Sequence, residues 1–160
     1  MYYGKNAIMD VVAEVKRRIL SLPTSRDAPH MLAASYHLTS LAPETIQQSG
    51  DFILGRVNVV NTGGAVWLDR AQWEKGEVRL RWRWFEAGHD NHLTEGGWLL
   101  GYDVLPGQAD EFTVEIATPR NPGNYLLELG LVSVQGTWFA DQGTAPLRVP
   151  IQVTHLPSGG

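Results

Sequence analysis

There is no cysteine in this chain, which removes disulfides, thiolate-bound metal and a cysteine nucleophile while leaving the redox compartment undetermined. No apolar run approaches the ~20 residues of a membrane span, and residues 1–10 lack the basic segment, apolar stretch and cleavage site of a secretion signal. An excess of positive charge is missing too. Lysine and arginine number 13 against 17 aspartates and glutamates, a formal net charge of −4. The signs are intermingled, so no basic footprint offsets phosphate repulsion and nucleic acid is not expected as a partner. These absences lead to the expectation of a cytoplasmic protein with no membrane span. At 160 residues the chain is one domain's worth, able to bury roughly two-thirds of its unfolded surface.

Glycine and proline are also absent from residues 6–20, where Ile8, Val11 or Val12, Val15 and Ile19 recur at three- and four-residue steps. That spacing predicts an amphipathic α-helix, with Asn6 as N-cap and Lys16, Arg17 and Arg18 at the negative end of its dipole. Such a helix is marginal alone, so its apolar stripe needs a partner: the rest of the domain, another domain, or a second chain. Two prolines among residues 21–29 stop the helix and predict a linker. The expected organisation is an amino-terminal helical region over 1–22, a linker over 23–31, a β-domain over 32–154 and a flexible tail over 155–160.

From residue 31 onward the texture changes to short alternating runs separated by Gly, Pro, Asn and Asp, the pattern of an all-β domain. A Pro122-Gly123 corner opens a run in which Tyr125, Leu127, Leu129 and Leu131 share one parity, predicting a central strand that ends at Trp138-Phe139. Residues 77–85 alternate strictly, with Val78, Leu80, Trp82 and Trp84 inward and Arg79, Arg81 and Arg83 outward. In 51–61, Phe52, Leu54, Val57 and Val59 share a face only if the strand slips at Gly55, which predicts a β-bulge there. Residues 86–97 read as a polar loop and 98–104 as a further strand. Residues 111–117 alternate again. In 147–153, Pro150 restricts the strand to a position where no ladder donor is needed. The fold class expected is an immunoglobulin-like antiparallel β-sandwich of about eight or nine strands, preceded by one amino-terminal amphipathic α-helix. Tyr125, just after the Pro-Gly corner, is placed as a tyrosine corner.

The runs V-N-V-V-N-T-G-G-A-V-W-L (57–68), V-R-L-R-W-R-W-F (78–85), V-L-P-G-Q (104–108), A-T-P-R-N-P-G-N-Y-L-L-E-L-G-L-V (117–132) and W-F-A-D-Q-G (138–143) together resemble a known module. It is similar to the bacterial immunoglobulin-like domains attached to glycosyltransferases, methyltransferases and sugar-export ATPases of surface-polysaccharide pathways. The carboxy-terminal glycan-binding domain of O-antigen exporters is one relative by architecture. A looser similarity runs to the four-tryptophan domain of autophagy cargo receptors, a protein-interaction module. The resemblance spans about residues 33–154 and is a fold signature: it packs Trp67 and Trp138 and carries no catalytic residue.

Six tryptophans suit either a core or the stacking of sugar rings on aromatic faces. Trp73, in a polar loop, and Trp98, beside Gly96-Gly97, are the ligand-binding candidates, with coverage of a sheet edge as the alternative. Arg79, Arg81 and Arg83 form a line of cations that either reads the carboxylates of acidic sugars or an acidic partner, or is a solvated face paired with residues such as Glu115 or Glu128. His89 and His92, in H-D-N-H, are metal-capable, but neither a zinc nor a calcium ligand pattern is complete, and a polar hairpin loop reads as well. No metal or cofactor is expected. Ser35, Ser40, His37 and Asp51 have no nucleophile-elbow context, so no catalytic residue is assigned. Residues and resemblance together imply a non-catalytic carbohydrate-binding or accessory module of cell-surface polysaccharide biosynthesis. Its expected partners are a glycan or carrier-linked polysaccharide and a glycosyltransferase or methyltransferase domain. The alternative is a protein-interaction or homo-oligomerisation module using the helix and a sheet edge.

Overall fold

Strands that alternate apolar and polar residues must each bury one face. The computed structural model, which describes residues 22–42, 46–48, 51–69, 76–133 and 137–155, satisfies this with two facing sheets. The strands are β1 (Ala34–Ala42), β2 (Ile46–Gln48), β3 (Phe52–Asn61), β4 (Val78–Glu86), β5 (His92–Leu99), β6 (Ala109–Ala117), β7 (Gly123–Ser133), β8 (Thr137–Trp138) and β9 (Leu147–Thr154). The smaller sheet runs β1-β3-β6 and the larger β2-β9-β7-β4-β5, with β8 added to β7. Ile53, Val57 and Val114 from the smaller sheet meet Leu80, Trp84, Leu127 and Leu129 from the larger in one buried core. Each such side chain contributes about 1.5 to 3 kcal/mol by leaving water. The Trp84 indole N–H also crosses the core to the Ala117 carbonyl at 3.0 Å.

Several expectations are corrected. The helix expected over 6–20 falls outside the described residues, and among those residues the fold class is corrected to all-β with no α-helix. Among the described residues the helical elements are two single 3-10 turns, Pro29–Met31 and Phe139–Gln142. The second ends on Gly143 in the left-handed region at φ 93°. The sheets are not wholly antiparallel either: β2 pairs parallel with β9. No hairpin dictates the direction of β2, because it leaves β1 in one sheet to join the last strand of the other. Residues 23–31, expected as a linker, are docked. Thr24 bridges to Val66, Ser25 and Ala28 are buried, and the Ser25 hydroxyl donates to the Gly76 carbonyl while accepting the Leu68 N–H.

The bulge expected at Gly55 lies in the neighbouring strand, where the register of β1 shifts between Leu38 and Ser40. β3 alternates without a slip, burying Ile53, Gly55, Val57 and Val59 and leaving Phe52 and Leu54 53% and 52% exposed. Gly55 is needed for space: a Cβ there would stand 2.8 Å from the Ser40 carbonyl oxygen. Residues 86–97, read as a loop, are mostly the β4–β5 hairpin. Its turn closes with the His89 N–H on the Glu86 carbonyl at 3.0 Å, and Gly88 takes the positive φ of 83° that the turn requires.

Three expectations match. Val78, Leu80 and Trp84 are buried along β4, with Trp82 packed against the core. The Tyr125 hydroxyl donates to the Asn121 carbonyl at 2.6 Å, forming the tyrosine corner. Pro150 sits in β9 opposite Leu126, while β2 borders β9 only from Gln152 to Thr154, so the missing N–H costs no rung on the β2 side.

Candidate functional site

The outer face of the larger sheet is organised as rows running across its strands. Cross-strand register places Phe85 beside Leu126 and Leu126 beside Pro150, an apolar row with His92 next to Phe85 at its β5 end. The next row alternates charge: Glu95, Arg83, Glu128 and Arg148 stand on β5, β4, β7 and β9 in turn. Beyond it, Arg81 stands between Gly97 and Gly130, and a fourth row holds Leu99, Arg79, Val132 and Trp138. Strand alternation alone makes these rows, because every second residue of neighbouring strands lies on one face.

Two adjoining concavities occupy the first two rows. One, of ≈620 Å³, is floored by Phe85, Leu126 and Pro150 and rimmed by Glu86, Asn124 and Gln152. The other, of ≈420 Å³, is bounded by Arg83, Glu128, Arg148 and Asp90. They share Phe85, Leu126, Gly88 and His89, so they form one groove beneath the β4–β5 turn. Tyr125 lies at its edge, and burial, then the nearby Glu86 carboxylate, raises its hydroxyl pKa.

Glu128 is the electrostatic centre. Though on the outer face it is only 3% exposed, because arginines cover it from both sides. Arg83 donates to its Oε1 through Nε at 2.9 Å and through Nη2, and Arg148 donates to Oε2 through Nε at 3.1 Å. The Arg83 guanidinium carbon is 4.2 Å from the Trp138 ring centroid and 5.3 Å from that of Phe85. Gly130 puts no side chain between Trp138 and that cation. Charge-assisted bonds and two aromatic faces therefore hold Arg83 in one orientation.

The candidates named from sequence divide. Arg83 and His89 line the groove. Arg79 is held by Glu77 at 2.9 Å and Arg81 by Glu95 at 3.1 Å, with a separate ≈160 Å³ depression between them and Gly96-Gly97. Glu115, offered as a cation partner, is on β6 of the other sheet. Trp98 stands opposite Leu80 and packs against the core. His92 lies edge-on to Phe85, 6.3 Å between centroids, and 3.6 Å from Glu95. His89 is 3.5 Å from Glu86. Among the described residues no three of His, Cys, Asp and Glu converge to hold a metal ion. Trp73 lies outside the described residues. Phe85, Leu126, Glu128, Arg148 and Pro150 were missed as site residues. Outward parity was the available signal, but without the strand order it does not place β9 beside β7.

No family model and no curated protein matches this chain. Among solved structures it is similar to the β-glucosidase from Listeria innocua in complex with glucose, at 9% identity and a TM-score of 0.47, over 76% of this chain and 16% of that one. It is also similar to a β-glucosidase involved in saponin metabolism from intestinal bacteria, at 13% identity and a TM-score of 0.45, over 77% of this chain and 16% of that one. A third is the CARDB domain of the PF1109 protein from Pyrococcus furiosus in complex with di-metal ions, at 12% identity and a TM-score of 0.42, covering 77% and 87%. The chain thus spans 16% of the length of the two glucosidases. Likeness at this level adds nothing to the topology and groove described above. Among the described residues no helix is long and apolar enough to cross a membrane.

Proposed function

We propose that this chain is a non-catalytic binding module whose groove on the outer face of the larger sheet receives a saccharide. The observation that carries this reading is the adjacency of the apolar row Phe85, Leu126, Pro150 to the hydrogen-bonding groups of Glu86, Asn124, Gln152 and Arg148 across the two adjoining concavities. A sugar ring has that duality: its C–H face seeks an apolar or aromatic surface while its hydroxyls need polar partners at the rim. Arg83 and His89 belong to the site on this reading, with Arg79, Arg81, His92 and Trp98 outside its contact surface. In the cell the module acts as an accessory of cell-surface polysaccharide biosynthesis, holding a carrier-linked glycan near a partner transferase and raising its effective concentration there. The test is calorimetric titration with a panel of neutral and charged oligosaccharides, with Trp138 emission as a local reporter. Binding that weakens about tenfold or more in Phe85→Ala supports the reading. A panel with no response overturns it.

A second reading rests on β5. This strand borders the larger sheet, and Leu93 and Leu99 on it are 49% and 45% exposed, which suits pairing with another strand. Concentration-dependent association in sedimentation, abolished by Thr94→Pro, together with an unresponsive glycan panel, favours that alternative.

A further inference from the structure

Within the charged row, the triad of Arg83, Glu128 and Arg148 carries a surplus cation, Glu95 being paired with Arg81. Glu128 is matched against both Arg83 and Arg148, so three full charges leave one positive. The two arginines are not equivalent. Arg83 is committed: its Nε and Nη2 both serve Glu128, its faces lie against aromatic rings, and its side chain is 25% exposed. Arg148 uses Nε alone and its side chain is 60% exposed. Among the described residues its two terminal nitrogens make no hydrogen bond, so one edge of the guanidinium fork is oriented by Glu128 and still free to donate. The fork's spacing fits the two oxygens of a carboxylate. Carboxylates on the opposite rim are Glu86, beside His89, and Asp90 on the hairpin, so an anion is repelled from the turn and drawn toward β9.

We infer that the groove selects an acidic saccharide, with its ring carboxylate on the terminal nitrogens of Arg148 and its apolar ring face on Phe85, Leu126 and Pro150. The inference rests on the saccharide reading above and adds the ligand class and its orientation. Arg83 is a positioning residue: it fixes Glu128, which in turn fixes Arg148.

The test compares short oligogalacturonates with their fully methyl-esterified forms, which keep the ring and remove the charge. The acid form should bind roughly tenfold more tightly at low salt, and the gap should close as ionic strength rises. Arg148→Gln should remove the preference by bringing acid binding down to the level of the ester, and Arg148→Lys should restore part of it, since charge returns without the fork. Melting temperatures of both variants, measured alongside, confirm that folded protein is compared. Equal affinity for acid and ester, or a preference that survives in Arg148→Gln, overturns the acidic-ligand inference and leaves the saccharide reading in place. If neither these nor any neutral oligosaccharide binds, both fall. Binding of acidic peptides in place of oligogalacturonate likewise overturns the inference and moves the surface to a protein partner.

Discussion

The hydroxyl of Tyr36, on β1 of the smaller sheet, accepts the backbone N–H of Leu131, on β7 of the larger sheet, at 2.8 Å. The ladder of β7 is open at that point. β9 pairs with it only as far as Leu129, and β8 takes over at Val132. The phenol therefore reaches across the core to satisfy a donor that no strand supplies, and it holds the two sheets together beside the charged row of the groove.

Tyr36→Phe should destabilise the fold by about 1 to 3 kcal/mol, because it leaves a buried N–H without a partner. Burial raises the Tyr36 hydroxyl from 10.0 to about 12, the Leu131 N–H pulling it down in part and the Glu128 charge adding to the rise. The folded pKa lies above the unfolded one, so the native state keeps the proton longer. Stability is full below the unfolded value and falls as pH rises toward the folded one, by roughly 2 to 3 kcal/mol for this group. Urea denaturation of wild type and Tyr36→Phe across that alkaline range should show the two curves converging. Parallel curves would refute the assignment.

Glu128→Gln should cost about 1 to 3 kcal/mol, since Arg83 and Arg148 would keep their charges and lose the carboxylate between them. Arg148→Ala should cost less than about 1 kcal/mol, its side chain being mostly solvated. A double-mutant cycle on Glu128 and Arg83 separates their coupling from packing loss, and a coupling indistinguishable from zero would count against the charged row as a unit.

Asp110 heads the inward row of β6 and is 7% exposed. Its Oδ1 accepts the Tyr102 hydroxyl at 2.9 Å, while Oδ2 has no hydrogen-bond partner among the described residues. Desolvation raises its pKa, Asp69 adding to the rise and the Tyr102 hydroxyl and Glu111 N–H opposing it. A carboxyl with a raised folded pKa is held protonated by the fold, so stability declines as pH rises from the unfolded pKa through the folded one. Asp110→Asn should flatten that decline and exceed wild type at neutral pH in thermal melts taken from about pH 3 to 8. If the variant tracks wild type throughout, the carboxylate is not costing the fold anything.

Gly96→Ala should destabilise by about 1 to 3 kcal/mol through overpacking. A Cβ at that position would stand 2.5 Å from the Trp82 indole, which is packed against the core and cannot withdraw freely. Chemical denaturation reads this directly, and an unchanged midpoint would mean that β5 moves aside.

The legible parts of the chain are those governed by local physics. β4 and β6 announce themselves because both bury one face and expose the other, so every second residue is apolar. β5 did not, since an edge strand with both faces largely solvated has no apolar partner to demand alternation. In β3, Phe52 and Leu54 looked like core residues by type, yet Ile53 holds the inward place. Hydrophobicity names candidates for burial, and register chooses among them. Of the site, Arg83 and His89 were visible as an outward cation and a hairpin histidine. Phe85, Leu126 and Pro150 were not, because each is an ordinary strand residue until three strands from distant parts of the chain lie side by side.

By itself the sequence determined that the described domain would be built from strands, which residues of β4, β6 and β7 would face inward, and that Tyr125 would lock a corner. Those features arise from alternation and from turn chemistry, both confined to a few residues. Tertiary structure alone decided the order β9-β7-β4-β5, and with it the row Glu95, Arg83, Glu128, Arg148. Pairing between strands tens of residues apart is set by the packing of the whole core, and only that pairing turns scattered outward charges into a groove.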